Sequence, residues 1–524
     1  MTKHYLLGID LGSTSIKAIL YDVQGKAAAR SSRPMRRFHP SPDHPEWTVW
    51  DPAEIWTETA AACRDAMRLL DGSRGSIRGI AVTGMGMDGL PMSEEGKPLY
   101  PLISWHDPRT QPQYDRWLQD ITAEKTYRIG GNPVWAINSA LRMLWVKENE
   151  PDLFRRTFRW LLIEDYMNHC LTGRFATDYS MASCTMLFDQ KHQRWSEEMC
   201  RLAGIPRDIL PEALPSSAFL GELTESAARQ TALPQGTPVF LGGHDHICSS
   251  LPVGAFRPGT VLNITGTWEA VDMVSQEPPL DVPLGRSGIT VQSHVVPKAY
   301  MIWGGNPAGE MIEWYRREIA ASLTGEITGT EEGNSSPPGW EILVKQAEKA
   351  RPGSDGVMFL PHLGGSSCPQ VDSLSRGTFI GLSTRTSHAE MILSIIEGLG
   401  FQLRNVLTTM EQGLGHKAAE IVAVGGATRN EFWMQNKADM THLPVRVPEI
   451  EEATVLGAAV LAGIGAGLYS DAEDAFSRIH QGRQRTYLPN ERLTGFYANL
   501  FPIFRDLYSS VAPLHRRLFD LFPH

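Results

Sequence analysis

The sequence predicts an α/β protein of two domains, and three observations carry that prediction. At 524 residues the chain is longer than a single hydrophobic core usually grows. Short apolar strands alternate along it with segments of helical spacing. One plan, a strand, a turn of small and hydroxyl residues and a returning strand, occurs twice, near residue 6 and again near residue 261. The domain boundary is placed near residue 250, giving domains 1–250 and 251–524.

The first hairpin opens the chain. In LLGIDLGSTSIK (6–17) an apolar strand ends on Asp10, Gly12, Ser13, Thr14 and Ser15 form the turn, and residues 16–21, with Lys17 among them, return as a strand. Small residues let backbone N–H groups approach a phosphate, and hydroxyls add donors. A carboxylate at the strand end can hold Mg²⁺ through water, since that ion prefers oxygen ligands and keeps its own waters. The segment reads as a nucleotide-phosphate hairpin, with an ordinary hairpin as the plain alternative.

IRGIAVTG (77–84) reads as a buried strand and EEGK (94–97) as a turn. Residues 138–150 and 164–171 have helical spacing, and Thr172-Gly173 closes the second of these. TPVFLGGHDH (237–246) is a strand running into glycines and a charged cluster. VLNITGTWEAVDMV (261–274) repeats the opening plan around Thr265-Gly266-Thr267, so that two turns would close on one phosphate chain from opposite sides. IVAVGGATRNEFWMQNKADM (421–440) is a strand, a Gly-Gly-Ala turn and a helix, and TVLGAAVLAGIGAGLY (454–469) is a helix of small residues able to pack closely. The polar run 324–336 with Pro337-Pro338 reads as a surface loop.

Composition removes several classes. Hydrophobic content of 42% and charged content of 21% are those of an ordinary globular protein. A net charge of −10 without a basic cluster argues against a nucleic-acid partner. No stretch is apolar enough to span a bilayer, and MTKHYLLGID enters the first strand without a cleavable signal. Six scattered cysteines with no C-x-x-C pair are expected to be reduced core thiols of a cytoplasmic protein. Gly84 to Gly89 fits G-x-G-x-x-G after a strand, but LPMSEEGKPLY follows with a turn and no helix, so a dinucleotide site is rejected. A Walker A loop is absent.

LLGIDLGSTSIK, LGGHDH, LNITGTWE and VAVGGATRNEFWMQ, in that order and followed by TVLGAAVLAGIGAG, resemble the signatures of the FGGY carbohydrate kinases of the actin-like ATPase superfamily. The resemblance runs from residue 6 to about residue 467. It implies two ribonuclease-H-like domains with ATP and sugar in a central cleft. Asp245, in Gly242-Gly243-His244-Asp245-His246, matches the family's catalytic aspartate. A sugar hydroxyl is a poor nucleophile at neutral pH, and a positioned base is worth roughly 10²–10⁴ in rate. A helix N-cap is the plain alternative for Asp245. His244 and His246 depart from the family's commoner small or polar neighbours.

The resemblance also places Asp88 with Met87, Trp105, Asp107 and Arg109 on the sugar side, Trp105 offering an apolar face and the carboxylates accepting hydroxyl protons. An ion pair is the plain alternative for Arg109. Thr265, Gly266 and Thr267 would meet the terminal phosphates, while Gly425, Gly426 and Ala427 would bring backbone against adenosine with Asn430 as a polar contact. ATP and Mg²⁺ are the implied cofactors, with Asp10 and Asp245 as metal candidates. The Arg-Glu pair of polyol-binding members is replaced by Met87-Asp88. AVTGMGMDG, YPLISWHDPRT, LWVKENEP, NHCLTGRFATD and TGTWE are most similar to members acting on L-fuculose, then to those acting on xylulose, whose pattern Asp107 follows. The expected activity is ATP-dependent phosphorylation of a terminal hydroxyl of such a ketose. The alternatives are a polyol or aldonate kinase and a non-catalytic ATP-binding switch in the manner of actin or Hsp70. The expected partners are a small-molecule sugar and ATP, with no nucleic acid and no membrane; a homodimer is left open.

Overall fold

The computed structural model describes residues 3–70, 75–321, 340–479 and 482–522. The run expected as a loop at 324–338 lies outside the described residues. Two sheets dominate. The first is built from β1 (His4–Leu11), β2 (Ser15–Asp22), β3 (Ala27–Pro34), β4 (Ser76–Gly84), β5 (Phe219–Glu222) and β6 (Pro238–His244) in the order β3-β2-β1-β4-β6-β5. The second is built from β7 (Thr260–Thr265), β8 (Trp268–Ser275), β9 (Thr290–Ser293), β10 (Tyr300–Pro307), β11 (Glu420–Val424), β12 (Val445–Pro448) and β13 (Gln484–Tyr487) in the order β9-β10-β8-β7-β11-β12-β13.

The two sheets share one plan. In the first, β1, β2 and β3 are antiparallel, β1 pairs parallel with β4 and β4 with β6, and β5 closes the edge antiparallel. In the second, β7, β8 and β10 are antiparallel, β7 pairs parallel with β11 and β11 with β12, and β13 closes the edge antiparallel. The repeat seen in the two hairpins therefore extends through both sheets. β1 is apolar along nearly its whole length because it sits mid-sheet with both faces covered.

The sequence's helices form close to the expected spans, at Ser139–Asn149 and Ile163–Thr172, and Gly173 ends the latter in the left-handed conformation. The small-residue helix runs Ala453–Gly465, stopping short of residue 469 because the chain turns at Ala466 and Gly467. Although it belongs to the second half of the sequence, it packs on β1 and β4 of the first sheet and on helix Asp245–Val253. Gly457 makes that approach work: a Cβ there would run into the carbonyl of Cys248. Leu6, Ile19 and Phe240 of the first sheet share a core with Val455, Val460 and Leu251, and with Val274 and Met301 of the second. Residue 250 lies inside helix Asp245–Val253, and the chain passes to β7 through residues 254–259.

Candidate active site

Asp10 stands at the end of β1, beside the turn to β2 that Gly12 N–H closes by donating to Ser15 O at 3.1 Å. It is 8% exposed, and its Oδ1 has no hydrogen-bond partner. Burial, with the nearby charge of Asp245, pushes its carboxyl up to about 7, against the pull of Lys17. Lys17 itself is paired with Glu452, 2.8 Å away at the start of helix Ala453–Gly465. A buried carboxylate with an orphaned oxygen and too little positive charge beside it fits a cation site. Among the described residues no group of three or more His, Cys, Asp or Glu gathers as a metal cage. Mg²⁺ is commonly held by one or two carboxylates, waters and substrate phosphates.

Asp245 is the first residue of its helix, with His244 as the N-cap, so it is not itself the N-cap. The strand before it is held by side chains from other segments: Thr83 Oγ1 donates to Gly243 O at 2.6 Å, and His244 N–H donates to Ser180 Oγ at 2.9 Å. Ser180 in turn donates to Asp178. The side chain of Asp245 is 34% exposed, and its Oδ1 accepts the N–H of His246 at 2.6 Å. Burial of its surroundings raises its carboxyl above the usual range, and His246 opposes that rise.

His246 links the two halves of the protein. Its Nδ1 lies 2.9 Å from Asp272 Oδ2 on β8, and its Nε2 lies 3.2 Å from Gln292 Oε1 on β9. Burial disfavours its charge, but Asp272 and these acceptors outweigh that and raise its pKa. Both ring nitrogens are thus engaged by neighbouring side chains, and the pairing with Asp272 favours the protonated form over a free base. His244 is the opposite case: burial, with the charge of His246, holds it neutral.

On the sugar side, β4 leads into Gly86, Met87 and Asp88. Asp88 is buried and accepts from Trp50 Nε1 at 2.6 Å, while Arg142 Nη2 sits 3.8 Å from its other oxygen, which has no hydrogen-bond partner. Burial outweighs Arg142 and Trp50 and lifts the carboxyl to about 7. The Met87 carbonyl accepts from Ser139 Oγ at 2.7 Å, which fixes the left-handed turn at Met87. Trp105 is 37% exposed, its ring 3.6 Å from that of His106. Asp107 and Arg109 hold each other: Arg109 Nε and Nη2 donate to the two carboxylate oxygens at 2.8 and 2.7 Å, with neither side chain exposed. Asp107 also accepts Thr48 N–H at 2.6 Å, and the guanidinium lies over Trp47 and Trp145 at 4.2 and 4.8 Å. The pair braces the segment that presents Trp50, and the ion-pair alternative is the arrangement found.

On the nucleotide side, the β7–β8 turn rests on a buried cation. Lys437 Nζ donates to Asn263 Oδ1 and Thr265 Oγ1, each at 2.6 Å, and to Glu269. Thr265 donates onward to Asn263 at 2.9 Å, so its hydroxyl is fully engaged beneath the turn. The Gly266 N–H is engaged too, donating to Trp268 O at 3.0 Å, so exposed Thr267 is what remains to face a ligand. Gly425 packs on the same turn, where a Cβ would lie 2.5 Å from Thr265 O, whereas Gly426 borders open space. Asn430 caps helix Glu431–Thr441 through Trp433 N–H at 3.0 Å, and its buried Nδ2 has no partner. Trp50, Arg142, Gln292 and Lys437 complete the site without a sequence signal of their own. Each reaches the site from a distant segment, and none stands in a motif that marks it.

The duplicated sheets, a partly exposed aspartate at a helix start and small-residue turns on both hairpins define a two-domain phosphotransferase of actin-like plan. Comparison with known proteins makes this specific. The N-terminal domain of the FGGY family of carbohydrate kinases matches residues 5–252, and the C-terminal domain of the same family matches residues 261–466. L-Fuculokinase of Escherichia coli (strain K12) is 32% identical over 484 residues, 92% of this chain and 96% of the relative. Xylulose kinase of Staphylococcus epidermidis is 28% identical over 519 residues, 98% of each. The crystal structure of xylulose kinase from Rhodospirillum rubrum superposes with a TM-score of 0.88 at 26% identity, covering 98% of this chain and 100% of that one. The chain belongs to the FGGY family and is an ATP-dependent carbohydrate kinase.

Proposed function

We propose that this kinase transfers the γ-phosphoryl group of MgATP to a terminal hydroxyl of a ketose of the L-fuculose or xylulose type, with Asp245 as the base. The observation that carries the assignment of the base is the accessibility of Asp245. Asp10, Asp88 and Asp272 are buried, both nitrogens of His246 are engaged by Asp272 and Gln292, and Asp245 alone of these keeps a third of its side chain open. As the sugar oxygen forms its bond to phosphorus and the bond to ADP breaks, the hydroxyl proton passes to the carboxylate of Asp245. The N–H of His246 holds that carboxylate in place at 2.6 Å. Asp88, supported by Trp50 and Arg142, receives a sugar hydroxyl. The two hairpin turns offer the backbone donors of Ser13, Thr14 and Thr267 to the phosphates, while Gly12 and Gly266 N–H close the turns themselves. Mg²⁺ bound with the nucleotide neutralises charge on the β- and γ-phosphates, and Asp10 would hold it through water.

The ketose reading is supported by the fuculokinase and xylulose kinase relatives, which match 92% and 98% of the chain. A cytoplasmic setting is supported by six cysteines that all remain unpaired thiols. ADP release measured over a panel of ketoses, polyols and aldonates tests the substrate. Turnover highest on a ketose agrees with the reading, and turnover confined to a polyol or an aldonate overturns it.

A further inference from the structure

A cleft of about 740 Å³, lined by none of the site residues above, holds Arg159, Arg174, Arg194 and Arg207. They come from four separate stretches: the strand Arg159–Leu162, the loop after helix Ile163–Thr172, the strand Arg194–Trp195 and the 3₁₀ turn Arg207–Ile209. We propose that this cleft is a binding site for a small polyanion, a metabolite carrying two or more phosphate or carboxylate groups.

Two of the guanidiniums are already set. Arg159 Nη1 donates to the carbonyls of Phe158 and Asp208, both at 2.7 Å, and its guanidinium lies 4.0 Å over the Phe158 ring. Arg207 Nη1 donates to Leu210 O at 3.3 Å. These partners are neutral carbonyls, so neither hydrogen bond pairs the guanidinium with a carboxylate. Arg174 and Arg194 are exposed at the rim. Among the described residues, none of the four is in an ion pair with a carboxylate. Asp208 and Glu212 also border the cleft, which leaves an excess of two positive charges within a chain of net charge −10. Burial, with the charge of Arg159, lowers the pKa of Arg207, and Cys200, Glu197 and Asp208 offset only part of that fall. Like charges brought together in this way repel one another until an anion joins them. Planar guanidiniums match phosphate and carboxylate oxygens in pairs.

The wall of the cleft leads toward the catalytic strand. The strands Ala176–Asp178 and Glu212–Leu214 pair in parallel, and Ala176, Glu212 and Leu214 face the cleft. Asp178, at the end of the first, accepts from Ser180, which accepts the N–H of His244. A polyanion drawing Arg174 and Arg207 together would brace the strand pair that supports the residue before Asp245.

Calorimetry on the full chain, without magnesium and with ADP in excess to fill the nucleotide site, tests this with two probes, inorganic pyrophosphate and citrate. Wild-type protein should bind at least one of them, and Arg174→Gln/Arg194→Gln should weaken that binding by about tenfold or more through loss of charge-assisted hydrogen bonds. Kinase activity of the variant without either probe should match wild type. Binding of pyrophosphate alone assigns the site to phosphorylated ligands, and binding of citrate alone to polycarboxylates. No binding of either probe to wild type, or equal binding to the variant, overturns the proposal.

Discussion

Lys437 places its ammonium 2.6 Å from the hydroxyl of Thr265, with 1% of its own side chain exposed. The cation therefore lies under the β7–β8 turn, where it meets Glu269 and fixes the loop from below. Lys437→Met should leave the Glu269 carboxylate buried and unpaired, at a cost of about 3–5 kcal/mol. Adding Glu269→Gln should recover part of that loss, because the second charge is then removed too. Denaturant unfolding of the two single variants and the double variant checks this; strictly additive losses would show that the two residues act separately.

Asp88 should couple sugar binding to pH. Its carboxyl sits at about 7 in the folded protein against an ordinary 3.8. Between those values the folded state keeps a proton that the unfolded chain has lost, so this group makes stability fall as pH rises through the window. Asp88→Asn has no such proton to lose. Relative to wild type, the unliganded variant should gain stability as pH rises from about 4 to about 7. Its KM for sugar should rise roughly tenfold or more, with little change for ATP, through loss of a hydrogen bond to a charged group. Melting temperatures across that pH range, beside KM for both substrates, provide the measurement. A parallel pH course for the two proteins would remove Asp88 from the titration.

Asp10→Asn should keep the fold and weaken the use of magnesium. Its orphaned Oδ1 and raised carboxyl suit it to accept a cation. The Mg²⁺ concentration for half-maximal turnover should rise roughly tenfold or more, as when a partner holding a metal's own ligands is lost. An unchanged magnesium requirement would make Asp10 a strand-end residue only.

Both hairpins, the strand at 77–84 and the Gly-Gly-Ala turn were legible because apolar runs end on small residues, a local pattern that needs no tertiary partner. The shared strand order of the two sheets was not, since it depends on which distant strands pair. Asp10 and Asp245 stood out through their place in motifs. Asp107 and Arg109 were read as sugar contacts from the same kind of signal. Their bond to each other depends on Trp47 and Trp145 folding over the guanidinium, and no spacing announces that. Trp50, Arg142 and Lys437 are supports: each is 38 to 174 residues from the partner it serves, so only the folded chain brings them in.

The central claim is that Asp245 takes the sugar's proton, and Asp245→Asn tests it most directly. The substitution keeps the size of the side chain and its acceptor for His246 N–H, but removes the base. Phosphorylation of the preferred ketose should fall by about 10² or more. Nucleotide affinity by calorimetry on the same preparation should stay near wild type, since the turns of both hairpins still hold the phosphates. A variant that binds ATP normally and phosphorylates at close to the wild-type rate would contradict the account.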